Sequence, residues 1–207
     1  GQNVMPRGRE MTRGQIVLEP GALLGPPEIG LLAAVGATTP LVHRRPTIAV
    51  LSTGDEIVPP SETPGPGRIR NSNESTLVAL ARRAGAEVVS LGIAGDDRAV
   101  LDAKIREGLH ADVLLLSGGV SAGNRDFVPS VLADCGVRKV FQHVAFKPGK
   151  PIWFGEHDGG LVFGLPGNPV SVLVCFELFV RTALRARQGA GDPMPKEFPA
   201  RAAEAVP

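Results

Sequence analysis

From Arg45 onward, short apolar runs alternate with segments whose apolar residues recur at helical spacing. The runs Thr47–Leu51, Glu87–Leu91, Asp112–Leu116, Lys139–Ala145, Pro151–Phe154 and Leu161–Phe163 predict strands. Between the first four, the pattern predicts helices over Glu74–Ala84, Arg98–Leu109 and Phe127–Cys135. In the first of these, Leu77, Leu80, Ala81 and Ala84 make one apolar face, with Arg82 and Arg83 off it. Ile48–Leu51 and Val113–Leu116 are unbroken apolar runs, as strands covered on both faces require. The alternation predicts an α/β fold, a three-layer αβα domain with a mostly parallel sheet. A long helix over Asn168–Arg187 closes it, with Arg181, Arg185 and Arg187 at the negative end of its dipole.

The flanks read differently. Residues 1–24 are rich in Gly and Arg and predict irregular loops or a small hairpin. Glu28–Val35 predicts a short helix with Ile29, Leu32 and Ala33 on one face, expected to pack on the core or to drive dimerisation. From Gly189 the chain reads as a linker, and Phe198–Val206 as the start of a further unit. The expected division is a segment of an upstream domain (1–44), the α/β core (45–188) and a tail (189–207), the whole read as a piece of a longer protein.

Composition narrows the function. A chain of 207 residues buries roughly 70% of its unfolded surface without staples. The net charge is +1 and aromatic residues make up 4%, so the basic, aromatic-studded surface of a nucleic-acid binder is missing. Val170–Val180 is interrupted by Glu177 and too short to span a bilayer, so no membrane role is expected. Cys135 and Cys175 read as buried reduced thiols, consistent with a cytoplasmic setting. His43, His110, His143 and His157 lack metal-ligand spacing. No Ser–His–Asp or Cys–His order points to covalent hydrolysis.

The chemistry is carried by loops. Parallel α/β sheets bind ligands beyond the carboxyl ends of their strands, and four polar loops follow predicted strands. They are Ser52-Thr53-Gly54-Asp55-Glu56, Gly95-Asp96-Asp97, the stretch Ser117–Asp126, and Gly164-Leu165-Pro166-Gly167-Asn168-Pro169-Val170-Ser171. A fifth element, Lys147-Pro148-Gly149-Lys150-Pro151, is a rigid turn with two ammonium groups. Candidate oxyanion binders are therefore Lys147 and Lys150, with hydroxyls and backbone N–H groups from Ser52, Thr53, Gly54, Ser117, Gly118, Gly119 and Ser121 and from the loop holding Pro166, Gly167, Asn168 and Ser171. Glu56, Asp96, Asp97 and Asp126 are candidates for a hard divalent cation. Each has a plainer reading beside it. Asp97 and Asp126 suit helix caps, Asn168 is a cap ahead of Pro169, the lysines suit a solvated turn, and the glycines suit tight turns. Ser117–Gly123 is neither a P-loop nor a dinucleotide fingerprint.

Six ordered motifs go further: Arg44-Arg45-Pro46, Leu51–Glu56, Ile69-Arg70-Asn71-Ser72-Asn73, Ser117–Ser121, Phe146–Pro151 and Gly164–Ser171, with Glu28–Gly36 upstream. The series resembles the molybdopterin molybdenumtransferase family, to which the C-terminal domain of gephyrin also belongs, and the resemblance covers nearly the whole chain. It implies insertion of molybdate into adenylylated molybdopterin with release of AMP, assisted by a divalent cation, Mg²⁺. By motif position it implies Glu56, Asp126, Lys147 and Lys150 as catalytic, and Glu56, Asp96, Asp97 and Asp126 around the metal. Pro166 and Ser171 fall near the oxyanion. It also implies a homodimer, the molybdopterin adenylyltransferase as a partner, and a C-terminal β-barrel beyond residue 189. The chain departs from the family in having Asn71 where Asp is usual, Phe127 where an aromatic hydroxyl is frequent, and Met5 where Arg is common. Without the family's other domains, weak turnover is expected of this chain alone. The competing readings are a molybdopterin adenylyltransferase and a non-catalytic, gephyrin-like scaffold.

Overall fold

The computed structural model describes residues 3–95, 97–119, 127–201 and 203. The strands are β1 (Thr47–Thr53), the short parallel pair β2 (Ile57–Val58) and β3 (Ile69–Arg70), β4 (Glu87–Ala94), β5 (Val113–Ser117), β6 (Arg138–Gln142), β7 (Trp153–His157) and β8 (Gly160–Leu165). All but the short pair form one sheet in the order β4-β1-β5-β8-β7-β6. Strands β4, β1, β5 and β8 are mutually parallel. Strand β7 runs against both its neighbours, so β6 again points the same way as β8. The expected α/β architecture with a mostly parallel sheet is what forms.

Alternation along each strand builds the three layers. On one face Ile48, Val50, Val113, Leu115, Phe163 and Leu165 pack with Leu77, Leu80 and Ala81 of α2 (Ser72–Arg83) and with the final helix. On the other, Ala49, Leu51, Leu114, Leu116 and Val162 pack with α3 (Arg98–Gly108) and α4 (Val128–Asp134). Each fully buried Leu or Ile contributes roughly 1.5–3 kcal/mol, so the central strands anchor the fold. The first helix, α1 (Pro26–Ala34), buries none of its residues. Cys135 and Cys175 are buried and free, as read from the sequence.

Three departures have clear causes. Strand β6 stops at Gln142, short of the expected Ala145, because His143 takes a φ of 69° and its N–H bonds the Ile152 carbonyl at 2.9 Å, closing a turn. Strands β7 and β8 form a hairpin through Asp158-Gly159, both with positive φ (43° and 79°), as a type I′ turn demands. The long closing helix is α5 (Pro169–Cys175), a π-helical turn (Phe176–Val180) and α6 (Arg181–Arg187). Val172, Phe176, Val180 and Leu184 are all fully buried at steps of four. A step of four overshoots an α-helical turn of about 3.6 residues, and the wider i→i+5 turn absorbs the excess.

Candidate functional site

Strand register fixes where the polar loops meet. Thr53 lies opposite Ala94, Ser52 opposite Ser117, and Ser117 opposite Leu165, so four parallel strands end side by side. Because β6 shares their direction and β7 reverses it, the Lys147–Pro151 turn between them stands at the same end. All five sequence-predicted elements therefore begin at one edge of the sheet. Asp96, Ser121 and Asp126 lie outside the described residues.

The hydroxyls here form a stitched layer. Ser52, Thr53 and Ser117 are buried. Ser52 Oγ donates to Asn71 Oδ1 at 3.1 Å, and Thr53 Oγ1 to the Ser117 carbonyl at 3.4 Å. Asn71 caps α2, its Oδ1 accepting from Glu74 N–H at 3.2 Å, while its Nδ2 donates to Glu74 Oε2 at 2.6 Å. A carboxylate could not make that last bond, which ties the cap to Glu74, while the bond from Ser52 fastens β1 to the start of α2. Asn73, in the first turn of the same helix, donates from Nδ2 to Ser117 Oγ at 2.9 Å and to the Gly167 carbonyl at 2.8 Å. The sequence quoted Asn73 only within its motif; the Asn-Ser-Asn start of α2 was the available signal.

The carboxylates fold over glycines. Gly54 has a φ of 136°, and a Cβ there would sit 2.4 Å from Glu56 Oε2, so the exposed Glu56 side chain occupies the space that Gly54 leaves. A Cβ on Gly95 would likewise meet Asp55 Oδ1 at 2.6 Å. Asp97 caps α3, accepting from Ala99 N–H at 2.8 Å and Val100 N–H at 3.2 Å. Among the described residues no three His, Cys, Asp or Glu side chains are grouped to hold a metal ion.

The turn at Lys147–Lys150 rests on the final helix. Cys175 Sγ lies 3.7 Å from the Gly149 carbonyl, and burial pushes this thiol up to about 11. Lys147 and Lys150 are exposed and form no ion pair among the described residues. At the start of α5, Asn168 Oδ1 accepts from Val170 N–H at 3.0 Å and Ser171 N–H at 3.2 Å. Those two N–H groups are thereby taken by the cap. Pro166 and Ser171 are buried, whereas Gly167 and Asn168 are exposed.

A cavity of about 780 Å³ opens at the opposite end of the sheet, lined by Arg44, His110, Asp112, Cys135, His157 and Arg187 among others. Its charges answer one another. Asp112 Oδ2 accepts from Arg44 at 2.6 Å, from Thr47 N–H at 2.8 Å and from Thr47 Oγ1 at 3.0 Å, with Arg187 3.5 Å from Oδ1. The Arg44 guanidinium and the Thr47 donors hold the Asp112 carboxyl well below the usual carboxylate range against the opposing effect of burial. This cluster fastens the incoming chain to the amino ends of β1 and β5.

A doubly wound domain whose parallel strands deliver polar loops to a single edge belongs to the class that binds ligands at carboxyl strand ends. The chain belongs to the probable molybdopterin binding domain family, which matches residues 49–186. It is 39% identical over 189 residues to a molybdopterin molybdenumtransferase of Haemophilus influenzae, covering 91% of this chain and 46% of that protein. It is 38% identical over 204 residues to molybdopterin molybdenumtransferase 1 of Mycobacterium tuberculosis, covering 97% and 48%. A solved molybdopterin biosynthesis protein from Pyrococcus horikoshii superposes with a TM-score of 0.79 at 36% identity, over 89% of this chain and 46% of that one. The chain thus spans about half the length of the curated relatives it matches.

Proposed function

We propose that this chain is the molybdopterin-binding core of a molybdopterin molybdenumtransferase, which inserts molybdate into adenylylated molybdopterin and releases AMP. The observation that carries this reading is the pair of exposed lysines, Lys147 and Lys150, standing at the sheet end where the Ser52–Glu56, Ser117–Gly119 and Gly164–Asn168 segments also arrive. Two cations in a rigid turn suit an oxyanion or phosphoanhydride whose charge grows during transfer. The names of the relatives support the same chemistry. Residues 45–188 are the unit proposed to hold the pterin, within a longer cytoplasmic protein.

For Mg²⁺, carboxylates are the right kind of ligand. Glu56 is exposed at this edge, but Asp97 is committed to the α3 cap, so a cation would need Asp96 and Asp126 beside Glu56. When bound, the cation would neutralise phosphoanhydride charge; the residues described here bind and orient. The proposal also takes α1 as a dimer contact, because Ile29 on this helix, which buries nothing, and its C-capping Val35 stay exposed, and takes a molybdopterin adenylyltransferase as the supplier of substrate.

Titration of the purified chain with adenylylated molybdopterin and Mg²⁺ tests the reading. Saturable binding that Lys147→Ala and Asp126→Ala each weaken at least about tenfold supports it; wild-type binding that neither substitution alters refutes these assignments. Sedimentation of the same samples tests the dimer, and a monodisperse monomer at micromolar concentration removes it.

A further inference from the structure

Asn73 sits where three elements meet: the first turn of α2, the end of β5 and the loop from β8 into α5. The residue is 9% exposed. The carboxamide can face only one way. The Gly167 carbonyl accepts and cannot donate, so the –NH2 edge must lie toward it, and the same nitrogen reaches Ser117 Oγ. This orientation leaves Asn73 Oδ1 buried with no hydrogen-bond partner, one of two such atoms among the described residues.

An unpaired buried acceptor is costly, and native proteins retain few of them. As a source of stability the amide is poorly balanced, because its two donated bonds come with a buried, unpaired oxygen. Retaining the amide therefore points to what its donors accomplish. They hold the Ser117 hydroxyl and the Gly167 carbonyl at a set separation across the gap between two strand-end loops.

We infer that Asn73 is a positioning residue of the strand-end site, fixing the width between the β5 loop and the β8–α5 loop and thereby the fit of the ligand. The affinity part of this inference rests on the pterin-binding reading above. Asn73 touches no reacting atom; it acts through Ser117 and Gly167. Because Nδ2 donates to Ser117 Oγ, the proton of that hydroxyl points away from Asn73.

The test compares wild type with Asn73→Ala and Asn73→Asp in the whole chain, using melting temperature, amide exchange by mass spectrometry and titration with adenylylated molybdopterin and Mg²⁺. Losing two bonds while removing an unpaired acceptor offsets in Asn73→Ala, so its melting temperature should stay near wild type. Exchange should rise together in segments 117–119 and 164–168, and affinity should fall about tenfold. Asn73→Asp keeps the shape and can accept from the Ser117 hydroxyl, but it cannot bond the Gly167 carbonyl, so its exchange should rise in segment 164–168. Unchanged exchange in either segment of Asn73→Ala overturns the inference, as does unchanged affinity where wild type binds. A large fall in melting temperature with exchange raised throughout the chain also overturns it, because Asn73 would then be a general stabiliser. If wild type binds no pterin, the functional reading fails, and the exchange comparison alone decides the role of Asn73.

Discussion

Cys175 Sγ approaches the carbonyl of Gly149 at 3.7 Å, which seats the lysine-bearing turn on the last residue of α5. Gly149 has a φ of 121°, and a Cβ there would lie 2.7 Å from that sulfur. Gly149→Ala therefore meets backbone strain and a packed thiol together. A loss of about 1–3 kcal/mol in denaturant unfolding is expected, with weaker oxyanion binding because Lys147 and Lys150 shift with the turn. Unchanged stability would show that the turn does not depend on this contact.

The same burial makes both thiols poor nucleophiles. Cys175 is pushed up to about 11 and Cys135 is also raised, each chiefly by burial, so thiolate is scarce at neutral pH. Labelling by a thiol reagent at pH 7.5 should be slow and should accelerate only as the chain unfolds. Rapid native-state labelling of Cys175 would contradict its packing.

Asp112 makes the fold sensitive to acid. Its carboxyl is depressed by Arg44 and Thr47, so its stabilisation is complete above the unfolded value of about 4 and is lost as pH falls through the lower folded value. Asp112→Asn should cost about 2 kcal/mol at pH 7, allowing for the exposure of Arg44. Denaturation midpoints for wild type and variant should converge below pH 4. Parallel profiles down to pH 2 would mean that the ion pair contributes nothing.

Gly54→Ala should be the more damaging of two changes at the acidic edge. At a φ of 136°, a methyl group would collide with the Glu56 carboxylate, 2.4 Å away, so the variant strains the β1 end and expels Glu56. Asp97→Ala, by contrast, removes only a cap, about 1 kcal/mol, and Asp97→Ser should restore it. Thermal melts of the three variants check the order. A Ser variant no better than Ala would show that Asp97 does more than cap α3.

Most of the core was legible because its signals are local. Ile48–Leu51 and Val113–Leu116 are apolar on both faces, and Leu77, Leu80 and Ala81 share one helical face, so strand, helix and layer followed from spacing. The convergence of the loops was also readable, since parallel strands force their ends to one edge. What escaped depended on long-range geometry. Asp158-Gly159 carried a hairpin signal, but the reversal of β7 emerges only in the assembled sheet. The π turn answers the burial of residues four apart, visible only once the sheet beneath it is known. Ser52, Thr53 and Ser117 read as ligand hydroxyls, yet their hydrogen bonds run to Asn71, to a neighbouring strand and from Asn73, partners up to 64 residues away.

The reversed strand has one more effect. Had β7 followed its neighbours, the chain leaving β6 at Gln142 would have needed to cross the whole height of the sheet before re-entering at Trp153, and Lys147 and Lys150 would have ridden on that crossover. Running β7 backwards lets the chain double back at once. Two cations are thereby delivered to the edge where the parallel strands end by a connection of ten residues, and the helix layers above and below need no additional member.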